Sequence, residues 1–337
     1  MTTIRDYRPF GRTGVKVSPL ALGTMMFGGK TDYEESARII DRAIEAGINL
    51  IDTANIYSRG VSEDFTGKAL KANGQRHNVF LASKVHLPMH DSDANLRGSS
   101  RRHIIEQAEN SLRRLDTDYL DLYQIHRPAP DTAIDETLRA LDDLVRSGKV
   151  RYIGSSTFAG WQAVEALWAA KELGLNRFVS EQPPYNLLDR RIERELVPVA
   201  QTWGLALLPW SPIGGGLLSG KYRLGQPPEQ GRYVDPSPLQ ARRLTPRIYD
   251  VIEPLAQLAE QKGVPLSQLA LAWTVRQPGV TSSIIGPRTL AQFEDALAAL
   301  KVEFTAADLE RIDAIIPPGT HVAPFYEADF SASRYRW

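Results

Sequence analysis

The chain has 337 residues, of which 42% are hydrophobic and 24% are charged, a composition typical of a globular protein with a large core. Forty Lys and Arg residues balance forty Asp and Glu residues, so the net charge gives no indication of binding to nucleic acid or to an anionic membrane. Cysteine is absent, which excludes disulfides, thiol catalysis and cysteine-based metal sites.

Short apolar runs alternate with amphipathic stretches along the whole chain. A β-hairpin is predicted first, with residues 8–11 against 15–18, and Gly47 is predicted to end the first helix. The predicted strands are 19–23, 48–52, 78–84, 119–125, 150–155, 178–182, 204–209 and 281–285. The predicted helices are 34–46, 62–72, 101–115, 133–147, 160–173 and 190–203, further helical sequence over roughly 246–277, and 289–300.

Eight apolar strands, each followed by a helix, predict an α/β fold of the closed (β/α)8 or TIM barrel type, with the hairpin at its N-terminus and long C-terminal rim loops. We expect one domain over residues 1–337. An open doubly wound sheet is the rival fold, but such a sheet more often has a glycine-rich first turn, and no G-x-G-x-x-G occurs here.

Two connections are long for such a barrel, namely 86–100 and 213–244, and long loops tend to be functional. The segment Gly215–Lys221 fits G-x-x-x-x-G-K, but Tyr222 replaces the Ser or Thr that a P-loop needs for Mg²⁺. The aromatic segment after Pro318, which includes Phe325, Tyr326, Phe330, Tyr335 and Trp337, either lines a substrate mouth or docks on the barrel; the sequence leaves both open.

Four polar residues end, or closely follow, predicted buried strands: Asp52, Tyr57, Lys84 and His126. Barrel enzymes form their active sites at the C-terminal ends of the strands. Each residue alone has an ordinary structural explanation, such as a helix cap for the aspartate or solvent exposure for the lysine. Because burying these groups is costly unless they satisfy one another, we expect the four to meet at one site.

Proton donation to an oxygen that becomes negative is the chemistry that fits this set. A tyrosine hydroxyl has a pKa near ~10, and an adjacent ammonium favours the phenolate. Lys84, held charged by Asp52, is therefore predicted to tune Tyr57 as a general acid, while His126 polarises the carbonyl oxygen. The set contains no nucleophile, so the missing component is a hydride, which requires a cofactor.

With these motifs the sequence resembles the aldo-keto reductase family over nearly the whole chain. The matching segments are LALGTMMFGG (20–29), IDTANIY (51–57), SK (83–84), IH (125–126), IGSSTF (153–158), Gln182, WSPIGGGLLSGKY (210–222) and IIGPRTLAQFEDAL (284–297). The resemblance implies a barrel that reduces aldehydes and ketones to alcohols with NADPH, without a metal, and with Asp52, Tyr57, Lys84 and His126 as the catalytic set.

The resemblance also implies a site for NADP(H), with NADPH preferred over NADH. Trp210 would stack on the nicotinamide, and Arg288 is the candidate partner of a 2′-phosphate, since a guanidinium binds phosphate in a bidentate manner. The other implied residues are Ser156, Thr157 and Gln182 at the carboxamide; Gly23, Thr24 and Met25 below the ribose; Ser211, Ile213, Gly214 and Lys221 along the pyrophosphate; Arg232 on the covering loop; and Gly286, Gln292 and Asp295 near the adenosine. Asp52 is counted in both sets.

Two departures from the family pattern bear on cofactor affinity. Thr157 replaces a common Asn, which shortens the reach to the carboxamide. Asp295 and Ala296 replace a frequent Glu-Asn pair, so part of the usual contact to adenine is missing.

Other functions were weighed against a reductase. Relatives that serve as potassium-channel β-subunits bind the cofactor as regulatory partners, but they carry Asn where this chain has His126. A barrel lyase that uses the Lys84 amine would need a lysine without an acidic partner. His86 and His90 have the spacing of a metal pair, but Pro88 lies between them and no third ligand is evident.

Three further expectations complete the sequence-based picture. The first residues lack the apolar core of a signal peptide and no run approaches the ~18 apolar residues of a membrane helix, so we expect a soluble cytoplasmic protein that acts on a small-molecule carbonyl and contacts neither nucleic acid nor membrane. An oligomer is possible. The stripe Trp161, Val164, Leu167 and Trp168 is predicted to be core, and Arg242-Arg243 either holds phosphate or lies on the surface.

Overall fold

The computed structural model describes residues 4–90, 93–225 and 231–326. The chain begins with an antiparallel hairpin of β1 (Arg8–Pro9) and β2 (Lys16–Val17), in which Arg8 pairs with Val17. The predicted hairpin is therefore confirmed.

Eight parallel strands follow, in the spatial order β10-β3-β4-β5-β6-β7-β8-β9. They are β3 (Leu20–Gly23), β4 (Leu50–Asp52), β5 (Phe80–Val85), β6 (Leu120–Ile125), β7 (Val150–Ser156), β8 (Phe178–Gln182), β9 (Ala206–Leu207) and β10 (Ser283–Ile285). Backbone hydrogen bonds join the two ends of this sheet, from Thr281 N to Leu207 O at 2.9 Å and from Ile284 N to Pro209 O at 2.8 Å. The sheet is thus closed into the predicted (β/α)8 barrel.

Helices surround this barrel. They are α1 (Tyr33–Glu45), α2 (Val61–Ala72), α3 (Arg101–Arg114), α4 (Ile134–Arg146), α5 (Gly160–Leu173), α6 (Leu196–Trp203), α7 (Pro238–Ala241), α8 (Ile248–Gln261), α9 (Leu266–Arg276), α10 (Leu290–Ala298) and α11 (Ala306–Ile315). Short 3-10 helices occupy Tyr57–Gly60, Arg76–Asn78, Arg191–Glu193, Gly214–Ser219 and Ala299–Lys301. Of the described helices, none is long and apolar enough to cross a membrane.

Three helical regions differ from the prediction, the first being the short helix α7, which lies in the long loop predicted over 213–244. The single helix expected over 190–203 is broken into a 3-10 turn at Arg191–Glu193 and α6 from Leu196. Pro198 explains the break, because its ring clashes with the carbonyl four residues earlier and is tolerated only in a first turn. Helix α11 was not predicted, although Thr305 and Asp308 form a capping box at its start.

The exposure of helix α5 also corrects a prediction. Leu167 is buried, as expected, but Trp161 and Trp168 are 48% and 63% exposed. The helix turns its small residues Ala163 and Ala170 toward the barrel, so the two tryptophans, seven residues apart, lie on the outer face.

The floor of the barrel is apolar and its upper half is polar. Phe10 and Val17 of the hairpin pack with inward-facing strand residues such as Leu50 and Leu122, and so plug the N-terminal end. Two larger clusters fill the space between strands and helices. Because apolar residues fill the N-terminal end, the polar side chains inside the barrel lie at the C-terminal ends of the strands, where barrel enzymes carry their active sites.

Candidate active site

Asp52, Tyr57, Lys84 and His126 lie at one rim of the barrel. Asp52 ends β4, Lys84 lies one residue before the end of β5, and His126 directly follows β6. Tyr57 opens the 3-10 helix after β4. Neighbouring strands β4, β5 and β6 therefore deliver the four side chains to one place.

Lys84 links the group through all three protons of its ammonium. Its Nζ donates to Asp52 Oδ1, to Thr53 O at 2.8 Å and to Tyr57 Oη at 3.2 Å. Burial alone would lower the pKa of Lys84, but the charge of Asp52 and then that of Tyr57 outweigh burial and hold the pKa above its usual value. Lys84 is a fixed cation rather than a free amine, which disfavours an amine-based lyase.

The second oxygen of Asp52 accepts hydrogen bonds from two buried glutamines. Gln124 Nε2 and Gln182 Nε2 donate to Asp52 Oδ2 at 3.1 and 2.9 Å, and Gln182 also donates to Gln124 Oε1 at 3.2 Å. Gln124 was not among the predicted site residues. Its signal was present, because it stands two residues before His126 and successive residues of a strand alternate between its two faces.

His126 faces Tyr57 edge-on, with ring centres 5.8 Å apart. Burial, together with the charges of Arg127 and Lys84, lowers the pKa of His126 well below its usual value, so the ring is neutral at physiological pH. A neutral imidazole carries one N–H donor. The side chains of Tyr57 and His126 thus offer two donors to one oxygen.

The residues expected at a nicotinamide carboxamide lie together at the ends of β7 and β8. Ser156 Oγ donates to Gln182 O at 2.9 Å, and Thr157 N donates to the same oxygen at 3.1 Å. Thr157 has φ of +62°, a strained backbone for a β-branched residue that often marks a functional turn. Trp210 is partly buried, and its Nε1 has no hydrogen-bond partner among the described residues.

The end of β3 and the following turn carry the next expected contacts. Gly23 has no room for a side chain, since a Cβ there would lie 2.6 Å from Ile284 Cγ2. Thr24 is buried and its Oγ1 lies 2.8 Å from Ser62 Oγ, whereas Met25 is 47% exposed. Met25 is therefore the accessible member of this group.

The loop after Trp210 contains residues in the left-handed backbone region. Ser211 and Gly214 have φ of +54° and +59°, and Ser211 O accepts from Gly214 N at 2.9 Å. Ile213 is partly buried between them and Lys221 is exposed. The described residues 221–225 and 231–237 contain no helix, so the strand-loop-helix context of a P-loop is not met.

Three arginines gather where phosphates are expected. Burial lowers the pKa of Arg232, Tyr233 opposes that effect, and the charges of Arg243 and Arg288 lower the pKa further. Arg243 is buried over the Phe325 ring, 4.3 Å from its centre, and its Nε has no hydrogen-bond partner among the described residues. A cluster of cations that repel one another fits a polyanion such as a dinucleotide phosphate.

The adenosine end is only partly open. Gly286 is exposed, and Gln292 Oε1 accepts from Arg288 N at 2.9 Å, which orients that backbone. Asp295, by contrast, accepts from Ser267 Oγ at 2.9 Å and from Gln268 Nε2 at 2.7 Å. Both carboxylate oxygens of Asp295 therefore already accept a hydrogen bond within the protein.

His86 and the described part of the C-terminal aromatic segment both make hydrogen bonds within the protein. Within the described part of the chain no cluster of three His, Asp or Glu residues has metal-site geometry, and His86 Nδ1 lies 3.0 Å from Ser99 Oγ. Phe325 N and Tyr326 N both donate to Asp189 Oδ2 at 2.7 Å, so this part of the C-terminal segment docks on the barrel. Phe330, Tyr335 and Trp337 lie outside the described residues.

Comparison with known proteins agrees with this geometry. The model of the aldo/keto reductase family matches residues 19–317. An uncharacterized oxidoreductase of Bacillus subtilis, YrpG, is 39% identical over 331 residues, which cover 95% of this chain and 99% of that protein.

Two further relatives show the breadth of the match. A versiconal hemiacetal acetate reductase of Aspergillus parasiticus is 33% identical over 340 residues, covering 94% of this chain and 98% of that protein. A probable voltage-gated potassium channel subunit beta of Oryza sativa subsp. japonica is 34% identical over 318 residues, covering 92% of this chain and 96% of that protein. The chain belongs to the aldo/keto reductase family.

Proposed function

We propose that the protein is an NADPH-dependent carbonyl reductase in which Tyr57 is the general acid. The observation that carries the proposal is the hydrogen-bonded series Asp52–Lys84–Tyr57 beside a neutral His126. The family is one of oxidoreductases, and this series supplies the proton that carbonyl reduction needs on oxygen.

Tyr57 donates its proton to the carbonyl oxygen while His126 donates a hydrogen bond to the same oxygen. The Lys84 ammonium, which already donates to Tyr57 Oη, stabilises the phenolate that remains. Asp52 keeps Lys84 charged and fixed, and Gln124 and Gln182 hold Asp52 in turn. The acid is therefore ordered before the substrate arrives, which limits the reorganisation needed in the transition state.

When bound, NADPH would supply the hydride for the carbonyl carbon. Trp210, Ser156, Thr157 and Gln182 are proposed to hold the nicotinamide, with Gly23, Thr24, Met25 and Asp52 below its ribose. Ser211, Ile213, Gly214, Lys221 and Arg232 are proposed along the pyrophosphate, and Gly286, Arg288, Gln292 and Asp295 at the adenosine end. The cation cluster of Arg232, Arg243 and Arg288 supports NADPH over NADH, because the 2′-phosphate adds negative charge. A cytoplasmic location and a single domain over residues 1–337 are parts of the same proposal.

The test compares NADPH oxidation by three purified proteins in the presence of an aromatic aldehyde and, separately, a small dicarbonyl. Tyr57→Phe removes the proposed acid. Tyr152→Phe is a matched control, since Tyr152 packs against Phe80 at the opposite end of the barrel. NADPH binding is followed by its fluorescence.

We expect Tyr57→Phe to lose at least about 100-fold in kcat while it still binds NADPH, because general acid catalysis contributes roughly 10²–10⁴-fold. Tyr152→Phe should keep the wild-type rate. If the wild-type protein binds NADPH tightly but reduces no carbonyl, the reductase proposal fails and a role as a channel subunit, as in the name of the rice relative, gains support.

A further inference from the structure

Arg127 lies beside the proposed acid and its role is not explained by the four catalytic residues. It directly follows His126, its Nη1 donates to His126 O at 2.7 Å and to Thr157 Oγ1 at 2.9 Å, and its guanidinium lies 5.7 Å from the centre of the Trp210 ring. Two contacts therefore hold one edge of the guanidinium at the rim of the site.

The other edge of Arg127 has no acceptor in the described protein. Its Nε and Nη2 make no hydrogen bond to a described residue, and no Asp or Glu oxygen of the described residues lies within 4.0 Å of the guanidinium. The side chain is only partly exposed. A partly buried arginine that presents two free donors in a fork has the geometry that binds a carboxylate in a bidentate manner.

The charges around Arg127 leave it uncompensated. Burial lowers the pKa of Arg127, Tyr57 and Glu181 oppose that effect, and Arg243 lowers the pKa further. Glu181 is fully buried, and burial raises its pKa to about 8, although hydrogen bonds from Ser155 and from Phe158 N favour its ionised form. Glu181 therefore holds its proton more readily than an ordinary carboxyl group, which weakens its compensation of the Arg127 charge.

We propose that Arg127 binds the carboxylate of the substrate, so that the preferred substrates are small aldehydes or ketones that also carry a carboxylate. The inference rests on the proposed function, because it assigns the carbonyl oxygen of the same molecule to Tyr57 and His126. The carboxylate is chemically unchanged in the reaction, in which the carbonyl carbon gains the hydride and the carbonyl oxygen gains the proton of Tyr57.

The cofactor phosphates are a less suitable partner for Arg127. Arg232 lies on the loop after Trp210, whereas Arg127 directly follows His126 and donates to His126 O and to Thr157 Oγ1. Arg243 is the cation that both regions share. It raises the positive potential on the side of the cleft where a substrate anion would lie.

The test uses para-formylbenzoate and its methyl ester, two aldehydes of similar shape that differ by one charge. The ratio of their kcat/KM values is measured with NADPH for the wild type, Arg127→Gln and Arg127→Lys. Gln keeps a donor for Thr157 Oγ1 without the charge, and Lys keeps the charge without the fork. Thermal melting and NADPH fluorescence check that each variant is folded and binds cofactor.

We expect the wild type to prefer the carboxylate, and Arg127→Gln to lower the carboxylate-to-ester ratio by about 10- to 100-fold, mainly through KM, as for loss of a charged hydrogen bond. Arg127→Lys should retain part of the preference. The ratio should also fall above pH 8, where Glu181 ionises next to Arg127 and Tyr326.

Two results would overturn the inference in distinguishable ways. A ratio that stays the same in Arg127→Gln, while both aldehydes are still reduced, would show that Arg127 does not select the anion although the reductase proposal stands. Absence of turnover of both aldehydes by the wild type would refute the reductase proposal and this inference with it.

Discussion

Removing the charge of only one partner of the buried Lys84–Asp52 pair should destabilise the folded protein strongly. Both side chains are almost completely buried, and Lys84 satisfies Asp52 and two further acceptors. Lys84→Met would leave the Asp52 carboxylate inside the barrel with only the amides of Gln124 and Gln182 as donors. Removal of one partner of a buried pair costs about 3–5 kcal/mol.

A double-mutant cycle separates this cost from a simple loss of packing. Asp52→Asn alone leaves an ammonium without its carboxylate and should also cost about 3–5 kcal/mol, whereas the double variant has no buried charge. The double variant should therefore be at least about 2 kcal/mol more stable than the sum of the single effects predicts. Urea unfolding at neutral pH gives the free energies of unfolding of the wild type, the two single variants and the double variant.

Lys149→Met serves as the matched control, since Lys149 pairs with Glu109 on the surface, where the side chains are 39% and 43% exposed. Its cost should stay below about 1 kcal/mol. The reasoning would be refuted by two results together. Each single variant at Lys84 and Asp52 would cost less than about 1 kcal/mol, as expected of a surface pair, and the double variant would cost the sum of the two.

Three other predictions concern pH, packing and cofactor choice. Because the pKa of Glu181 is about 8 when folded and lower when unfolded, the folded state holds a proton that the unfolded state releases, so stability should fall by up to about 1.4 kcal/mol per pH unit as pH rises toward 8. The lowered pKa values of His86 and His103 affect stability only below about pH 6.5. Between about pH 6.5 and 8 the free energy of unfolding of the wild type should therefore fall with pH, and that of Glu181→Gln should not. Equal pH dependence in the two proteins would contradict the raised pKa of Glu181. Gly67→Ala should destabilise the protein by about 1–3 kcal/mol in urea unfolding, because the added Cβ would lie 2.6 Å from the backbone of Leu115. This cost should outweigh the better helix propensity of Ala. A more stable variant would show that helix α2 can shift. Arg288→Met should reduce the preference for NADPH over NADH by about 10- to 100-fold in dissociation constants measured by fluorescence, and an unchanged ratio would place the 2′-phosphate elsewhere.

The sequence predicted the barrel well because its strands are short apolar runs and its helices are amphipathic. Helix α1 illustrates this, since Ile39, Ile40 and Ala43 form one buried face and Asp32 caps its start. The break before α6 was missed because an apolar periodic pattern continues through Pro198, and only the clash of its ring ends the regular helix. Exposure of Trp161 and Trp168 was missed because periodicity identifies two faces without saying which one meets the barrel.

Some properties of the site could not be predicted from the sequence. The strand-end positions of Asp52, Lys84 and His126 were sufficient to predict that they meet, since parallel strands end at one rim. Arg127 and Glu181 acquire their properties from neighbours far away in sequence: Arg127 from Thr157 and Trp210, and Glu181 from complete burial against Ser155. No local pattern records such burial, and it is burial that shifts the pKa of a carboxyl group.

The most direct test of the central claim is the fate of the hydride itself. The protein is incubated with an aromatic aldehyde and NADPH deuterated at the transferable position of the nicotinamide, and the alcohol product is examined by mass spectrometry and NMR. We expect one deuterium on the carbinol carbon with the wild type and a rate at least about 100-fold lower with Tyr57→Phe. Alcohol that lacks the deuterium, or equal rates for the two proteins, would contradict it.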